Sequence, residues 1–173
     1  MTGERAKWLV TTLIVAAMGA ALLAACGGSA GGSDQFRDQT KSALLDFGEE
    51  GSSDEREAAT EAVRSFFGAR SRKDWPAACA QLSQAMLAKI EHLATSATSL
   101  ADKSCPSFLG AFTSLGARES RESTVVEDGG SLRQQGAKGF LIYYGAGKVV
   151  YAMPLSNEDG AWKLASLSSK VLD

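Results

Sequence analysis

Three cysteines, a single histidine and a few tyrosines are the side chains of this 173-residue chain whose types invite chemistry. Cys26, Cys79 and Cys105 form no Cys-x-x-Cys pair, and His92 has no second histidine to join it, so the ligand set of a zinc site is missing from the sequence. Neither a metal nor a cofactor is expected. Gly27-Gly28-Ser29-Ala30-Gly31 matches the Gly-x-Ser-x-Gly pattern of a hydrolase elbow, but that elbow needs a preceding strand and a packed scaffold, and here it lies in a Gly/Ser spacer. Gly145-Ala146-Gly147 lacks the third glycine of a dinucleotide loop. Gly147-Lys148 leads into Val149, where a phosphate loop carries Ser or Thr. Asp74 and Glu91 are the acids that could act as a general base beside Tyr143, Tyr144 and Tyr151. A base needs burial and a tuned pKa, and nothing around these two positions demands either. Asp74 fits a helix cap and His92 an exposed helix position, so no enzymatic activity is expected.

Cys26 has a different setting. Arg5 and Lys7 form a short basic start, partly offset by Glu4, and Trp8 to Ala25 runs for 18 residues without a charge. That length lies between a signal-peptide apolar region and a minimal membrane span. Leu23-Ala24-Ala25-Cys26 decides between them, because it resembles the lipobox of bacterial lipoproteins: leucine, two small residues, then cysteine. The resemblance implies diacylglycerol on the Cys26 thiol, cleavage after Ala25, and a protein held on the extracytoplasmic face of a cell membrane. Two or more acyl chains give stable anchoring where one is marginal. With Cys26 assigned, Cys79 and Cys105 remain, and in an oxidising compartment two cysteines have one pairing, which makes a disulfide the expected state.

Removing residues 1–25 leaves one compact domain and a tether. Gly27 to Ser33 is flexible spacer by composition. From Ser33 to Glu57 eight acids face three bases, giving about −5 in that stretch within a chain of net charge −2. No face-wide excess of Lys and Arg exists, so nucleic acid is not an expected partner. Phe36, Thr40, Ala43, Leu44 and Phe47 fall at helical spacing. That weak stripe fits either a loose tether or a short helix docked on the domain or the lipid surface. Gly48 to Ser53 reads as loop. The organisation expected is a leader at 1–25, a lipid-anchored tether at 26–52 and a single domain at 53–173.

Within that domain, Ser52-x-x-Glu55 is a capping box ahead of the stripe Ala59, Ala62, Val63, Phe66 and Phe67, which predicts a helix over 54–71. Arg70, Arg72 and Lys73 close its last turn, where cations complement the dipole and could also attract an anion. Asp74 caps a second helix with Trp75-Pro76 in its first turn. Cys79, Leu82, Met86, Ile90, Leu93, Ala97 and Leu100 continue a core stripe, which Ser83-Gln84 could divide. A short helix from Cys105-Pro106 to Gly116 follows, so a Cys79–Cys105 bridge would clamp it to the second helix. From Ser123 the pattern changes to β-rich runs: Thr124 to Val126, Phe140 to Tyr144, Val149 to Met153 and Trp162 to Leu167. Turns are expected at Asp128-Gly129-Gly130, Gln135-Gly136, Gly145-Ala146-Gly147 and Asn157 to Gly160. Helices first and an antiparallel meander second make an α+β domain.

The order of these elements, with Ala62-Val63-Arg64-Ser65-Phe66-Phe67, Lys73-Asp74-Trp75 and the closing Glu158-Asp159-Gly160-Ala161-Trp162-Lys163-Leu164, resembles the nuclear transport factor 2-like superfamily as found in actinobacterial lipoproteins. The resemblance covers about residues 55–168. It implies helices wrapped on a curved sheet (a cone-shaped, cystatin-like arrangement) whose mouth can hold a small ligand, with Phe66, Trp75, Tyr143, Tyr144, Tyr151 and Trp162 as pocket lining. Alternation in the strands leaves both sheet faces apolar. The second face therefore meets the 36–47 segment, another subunit or a ligand. The expected function is a membrane-anchored, non-catalytic domain that binds a small apolar ligand or a partner. The alternatives are a structural, homo-oligomeric envelope protein using the apolar sheet face and, less favoured, an isomerase or hydratase of the superfamily's type.

Overall fold

A computed structural model describes residues 40–96, 104–115 and 124–172. The leader, Cys26, the Gly/Ser spacer, and Ala97 and Leu100 of the long stripe lie outside the described residues. Among those described, no helix is long and apolar enough to cross a membrane.

The helical half is built on local signals that work as read. Helix α1 covers residues 40–45. Helix α2 (Ser53–Ser71) starts in a complete capping box: the Ser52 amide donates to the Glu55 carboxylate at 2.8 Å, and the Glu55 amide donates to Ser52 Oγ at 3.3 Å. Its face of Ala59, Val63, Phe66 and Phe67 is buried. Helix α3 (Trp75–Ala80) is capped by Asp74, whose Oδ1 accepts from the Ala77 amide at 3.1 Å.

The long stripe then divides at Gln81–Ser83, for a reason that lies elsewhere in the chain. Leu82 bridges to Leu164, and the Ser83 amide donates to the Leu164 carbonyl at 2.9 Å. Ser83 Oγ accepts from the Met86 amide, and Glu158 accepts from the Gln84 amide, so two side chains cap α4 (Gln84–Ser96). Met86, Ile90 and Ala94 face the core, spaced by four. Leu93, expected in that row, is 44% exposed, because a residue three beyond Ile90 falls on the flank of an i, i+4, i+8 face. Helix α5 is Cys105–Leu115.

The sheet is antiparallel throughout, in the order β1-β2-β3-β4-β5, with β6 also paired to β4. Its strands are β1 (Glu49–Glu50), β2 (Asp128–Gln135), β3 (Lys138–Tyr144), β4 (Val150–Glu158), β5 (Ala161–Leu164) and β6 (Lys170–Val171). The β4–β5 hairpin turns on Asp159-Gly160 with φ of +54° and +85°, the two-residue mirror turn that suits strand twist. Four expectations are corrected. Thr124 to Val126 is not a strand. Asp128-Gly129-Gly130 is no turn but the start of β2, with the register slipping between Gly129 and Ser131. Trp162–Leu167 is not one strand: β5 stops at Leu164, and the chain re-pairs as β6 against Tyr151 and Ala152. Gly48–Ser53 is not simple loop, since Glu49 and Glu50 pair with Gln134 and Arg133.

The main core lies between the helices and one sheet face: Val63 and Phe66 meet Leu132, Leu141, Tyr143 and Met153. The opposite face carries Phe140, Ile142, Val150, Ala152 and Leu172, and Leu44 of α1 is buried among them. Phe47 meets Phe140 edge-on, ring centroids 5.0 Å apart. Residues 40–50, within the stretch read as tether, thus form a strap over the second face. Arg133 holds it: Nε donates to the Phe47 carbonyl at 3.1 Å, and Nη2 to the Gly48 carbonyl at 2.9 Å.

Candidate functional site

Five of the six aromatic residues expected to line a cavity do come together, but as filling. Phe66, Tyr143, Tyr151 and Trp162 are buried in one cluster, with Trp75 packed against it. Tyr144 alternates to the other face and is 47% exposed. Tyr143 stacks on Tyr151 at 5.7 Å, and its hydroxyl shares a hydrogen bond with Ser169 Oγ. Burial pushes the Tyr143 pKa up to about 12, helped by Tyr151 and opposed by the Ser169 bond, so the phenol stays neutral. Trp162 lies over Gly139, where an added Cβ would stand 2.8 Å from the indole ring. Trp75 packs on Gly110 in the same way, with its Nε1 3.3 Å from that glycine's Cβ position.

Other expected roles are redistributed. Arg70 turns inward: it lies over the Phe66 ring at 5.3 Å, Nη1 donates to the Leu167 carbonyl at 2.9 Å, and burial lowers its pKa. It therefore does not join Arg72 and Lys73 in an exposed cationic trio. Asp74 caps α3, while Glu91 and His92 are exposed on α4. Among the described residues no cluster of three or more His, Cys, Asp or Glu could hold a metal ion. Cys79 and Cys105 are joined, Cα–Cα 6.1 Å, clamping α3 to α5.

A concavity among the described residues lies on the outer seam of α2 and α3, with a volume of about 360 Å³. Helix α2 supplies Glu61, Arg64 and Gly68, and Arg72 caps its C-terminus; the intervals of three and four put all four on one side. Across the seam stand Ala77 of α3 and Gln81, the residue that caps its C-terminus, with Ala69 beneath. Arg64 is held in place: Nε and Nη2 donate to the Val126 carbonyl at 3.3 and 3.2 Å, and Nη2 also reaches the Glu127 carbonyl at 3.2 Å. Glu61 accepts from Ser65 Oγ at 2.9 Å. The Arg72 guanidinium folds back over Gly68, its Nη1 3.2 Å from where a Cβ would stand. Sequence reasoning passed over this groove, because arginines eight apart on a helix usually read as solvated surface. The available signal was Gly68, a glycine inside a 19-residue helix, where it costs about 1 kcal/mol relative to alanine. No protein-family model matches the chain, and neither does any curated protein or solved structure.

Proposed function

We propose that this chain is a lipid-anchored, extracytoplasmic lipoprotein whose folded part, nuclear transport factor 2-like in its order of elements, is a non-catalytic module binding a partner at its outer surface. One observation carries the choice of outer surface over interior: Phe66, Tyr143, Tyr151 and Trp162 fill the core, each at most 5% exposed. A small apolar ligand would have to displace these rings from packing as dense as a protein interior. Anchoring is supported by Leu23-Ala24-Ala25-Cys26 and by the Cys79–Cys105 bridge, which suits an oxidising compartment. Superfamily-type isomerase or hydratase chemistry has less support, because the Tyr143 hydroxyl is engaged by Ser169 and Asp74 is engaged as a cap. Self-association through the second sheet face has less support too, since Leu44 and Phe47 already lie on it.

Two measurements test the reading. Metabolic labelling with a clickable fatty acid should tag the wild-type chain and leave Cys26→Ser dark; equal labelling of both removes the anchor. Native mass spectrometry of the detergent-released full chain should show no retained apolar small molecule, and finding one would return the binding site to the interior.

A further inference from the structure

We propose that the α2–α3 groove is a carboxylate-binding site, with Arg72 as the fork that grips the anion and Arg64 as its fixed second donor. The proposal deepens the reading of a surface-binding module and rests on it. Exposed arginines ordinarily extend into water, where their long side chains keep their rotamer freedom. The two in this groove do otherwise. Arg64 is immobilised by three hydrogen bonds to the carbonyls of Val126 and Glu127, which leaves its Nη1 unused among the described residues. Arg72 lies along the groove instead of away from it, and Gly68 is what permits this. Its guanidinium has neither a hydrogen-bond nor an ion-pair partner among the described residues, so all five donors are available to a ligand.

The chemistry of the occupant follows from the walls. A guanidinium pairs bidentately with a planar carboxylate, adding geometry to charge. The groove lining includes two arginines against one acid, Glu61, whose carboxylate is engaged by Ser65, so the lining carries a local positive excess in a chain of net charge −2. Gly68, Ala69 and Ala77 give a small apolar floor for an organic body, and Gln81 adds an amide at the far end. Phosphate sites typically recruit backbone N–H groups. Here the helix interior of α2 has its amides committed to its own carbonyls, which favours a carboxylate. At about 360 Å³ the groove is at the lower end of ligand-site volumes of about 300–1,000 Å³, room for a small organic acid or the carboxyl end of a peptide.

Isothermal titration of the full chain in detergent micelles tests the proposal with four probes: succinate, N-acetyl-dialanine, its C-terminal amide and inorganic phosphate. Saturable binding of succinate or of acetyl-dialanine, with the amide silent, is the expected result. Succinate as the tighter probe identifies a free organic acid, and acetyl-dialanine a peptide terminus. Arg72→Gln should weaken binding about tenfold or more, the scale of one lost charged hydrogen bond. Arg72→Lys should recover part of it, and Gly68→Leu should abolish it without changing the far-ultraviolet dichroism. Absence of binding by every probe, phosphate binding as tightly as the carboxylates, or Gly68→Leu binding like wild type would each overturn the site. A carboxylate that binds and is chemically converted would instead keep the site and overturn the non-catalytic reading.

Discussion

The Tyr143 ring is fully buried and stacked on Tyr151, and its hydroxyl is bonded to Ser169. Alternation along Phe140 to Tyr144 assigns Leu141 and Tyr143 to one face, and both are buried there. Periodicity says which side a ring is on, but not whether the space beside it is empty; that depends on Tyr151 and Ser169, eight and 26 residues away. The raised pKa has a consequence at alkaline pH. In the unfolded chain the phenol ionises near 10, while in the fold it stays protonated to about 12, so its contribution is full below pH 10 and is lost as pH rises toward 12. Urea unfolding at pH 9 and pH 11.5 should show a drop of order 2 kcal/mol in the wild type that Tyr143→Phe lacks. Gly139 gives a second test. A methyl group there meets the Trp162 ring at 2.8 Å, so Gly139→Ala should destabilise by about 1–3 kcal/mol and shift the tryptophan emission.

At the scale of elements, what was legible depended on whether the signal was local. The capping box at Ser52, the Asp74 cap, the start of α5 at Cys105 and the Asp159-Gly160 turn each rest on residues within a few positions of one another, and each forms as expected. The bulged start of β2 and the pairing of β1 and β6 were hidden because their partners are remote: Tyr143 for Gly129, Arg133 for Glu50 and Tyr151 for Val171. The split after α3, which Ser83-Gln84 marked as a possible break, is fixed by an equally remote partner, Leu164 against Leu82. The strap follows the same logic, since Leu44 acquires its meaning from Ile142, Ala152 and Leu172. Leu44→Ala should cost about 2 kcal/mol or less, below the range for a deep core leucine, because the site is at the margin of the sheet. Hydrogen exchange should locate the effect, with faster amides at Glu49–Gly51 and unchanged amides in α2. The α2 capping box is pH-dependent in a defined sense. The Ser52 amide, the Ser52 hydroxyl and Gln134 hold the Glu55 carboxyl below its usual value, so this stabilisation is present above the ordinary carboxylate pKa and is lost as pH falls through the depressed one. Glu55→Gln should flatten that part of the acid-unfolding curve.

For the molecule as a whole, α+β architecture was legible from the switch in period near Ser123, and the filled interior and the outer groove were not. Both depend on how α2, α3 and the sheet pack, and no window of sequence contains that packing. The bridge between Cys79 and Cys105 spans 26 residues and ties α3 to α5, elements that also meet through Trp75 and Gly110. Replacing both cysteines by alanine should lower stability by about 3–4 kcal/mol in urea, with α5 amides exchanging first. The strap has one more implication, for mechanics. Among the described residues, a pull from the amino-terminal side meets this strap before α2. It has to prise out Leu44, part the Phe47–Phe140 contact and tear Gly48 and Phe47 from Arg133 before α2 is stressed. Tension would thus be absorbed in small successive yields along a sacrificial seam, while the disulfide-clamped helices behind it stay unloaded.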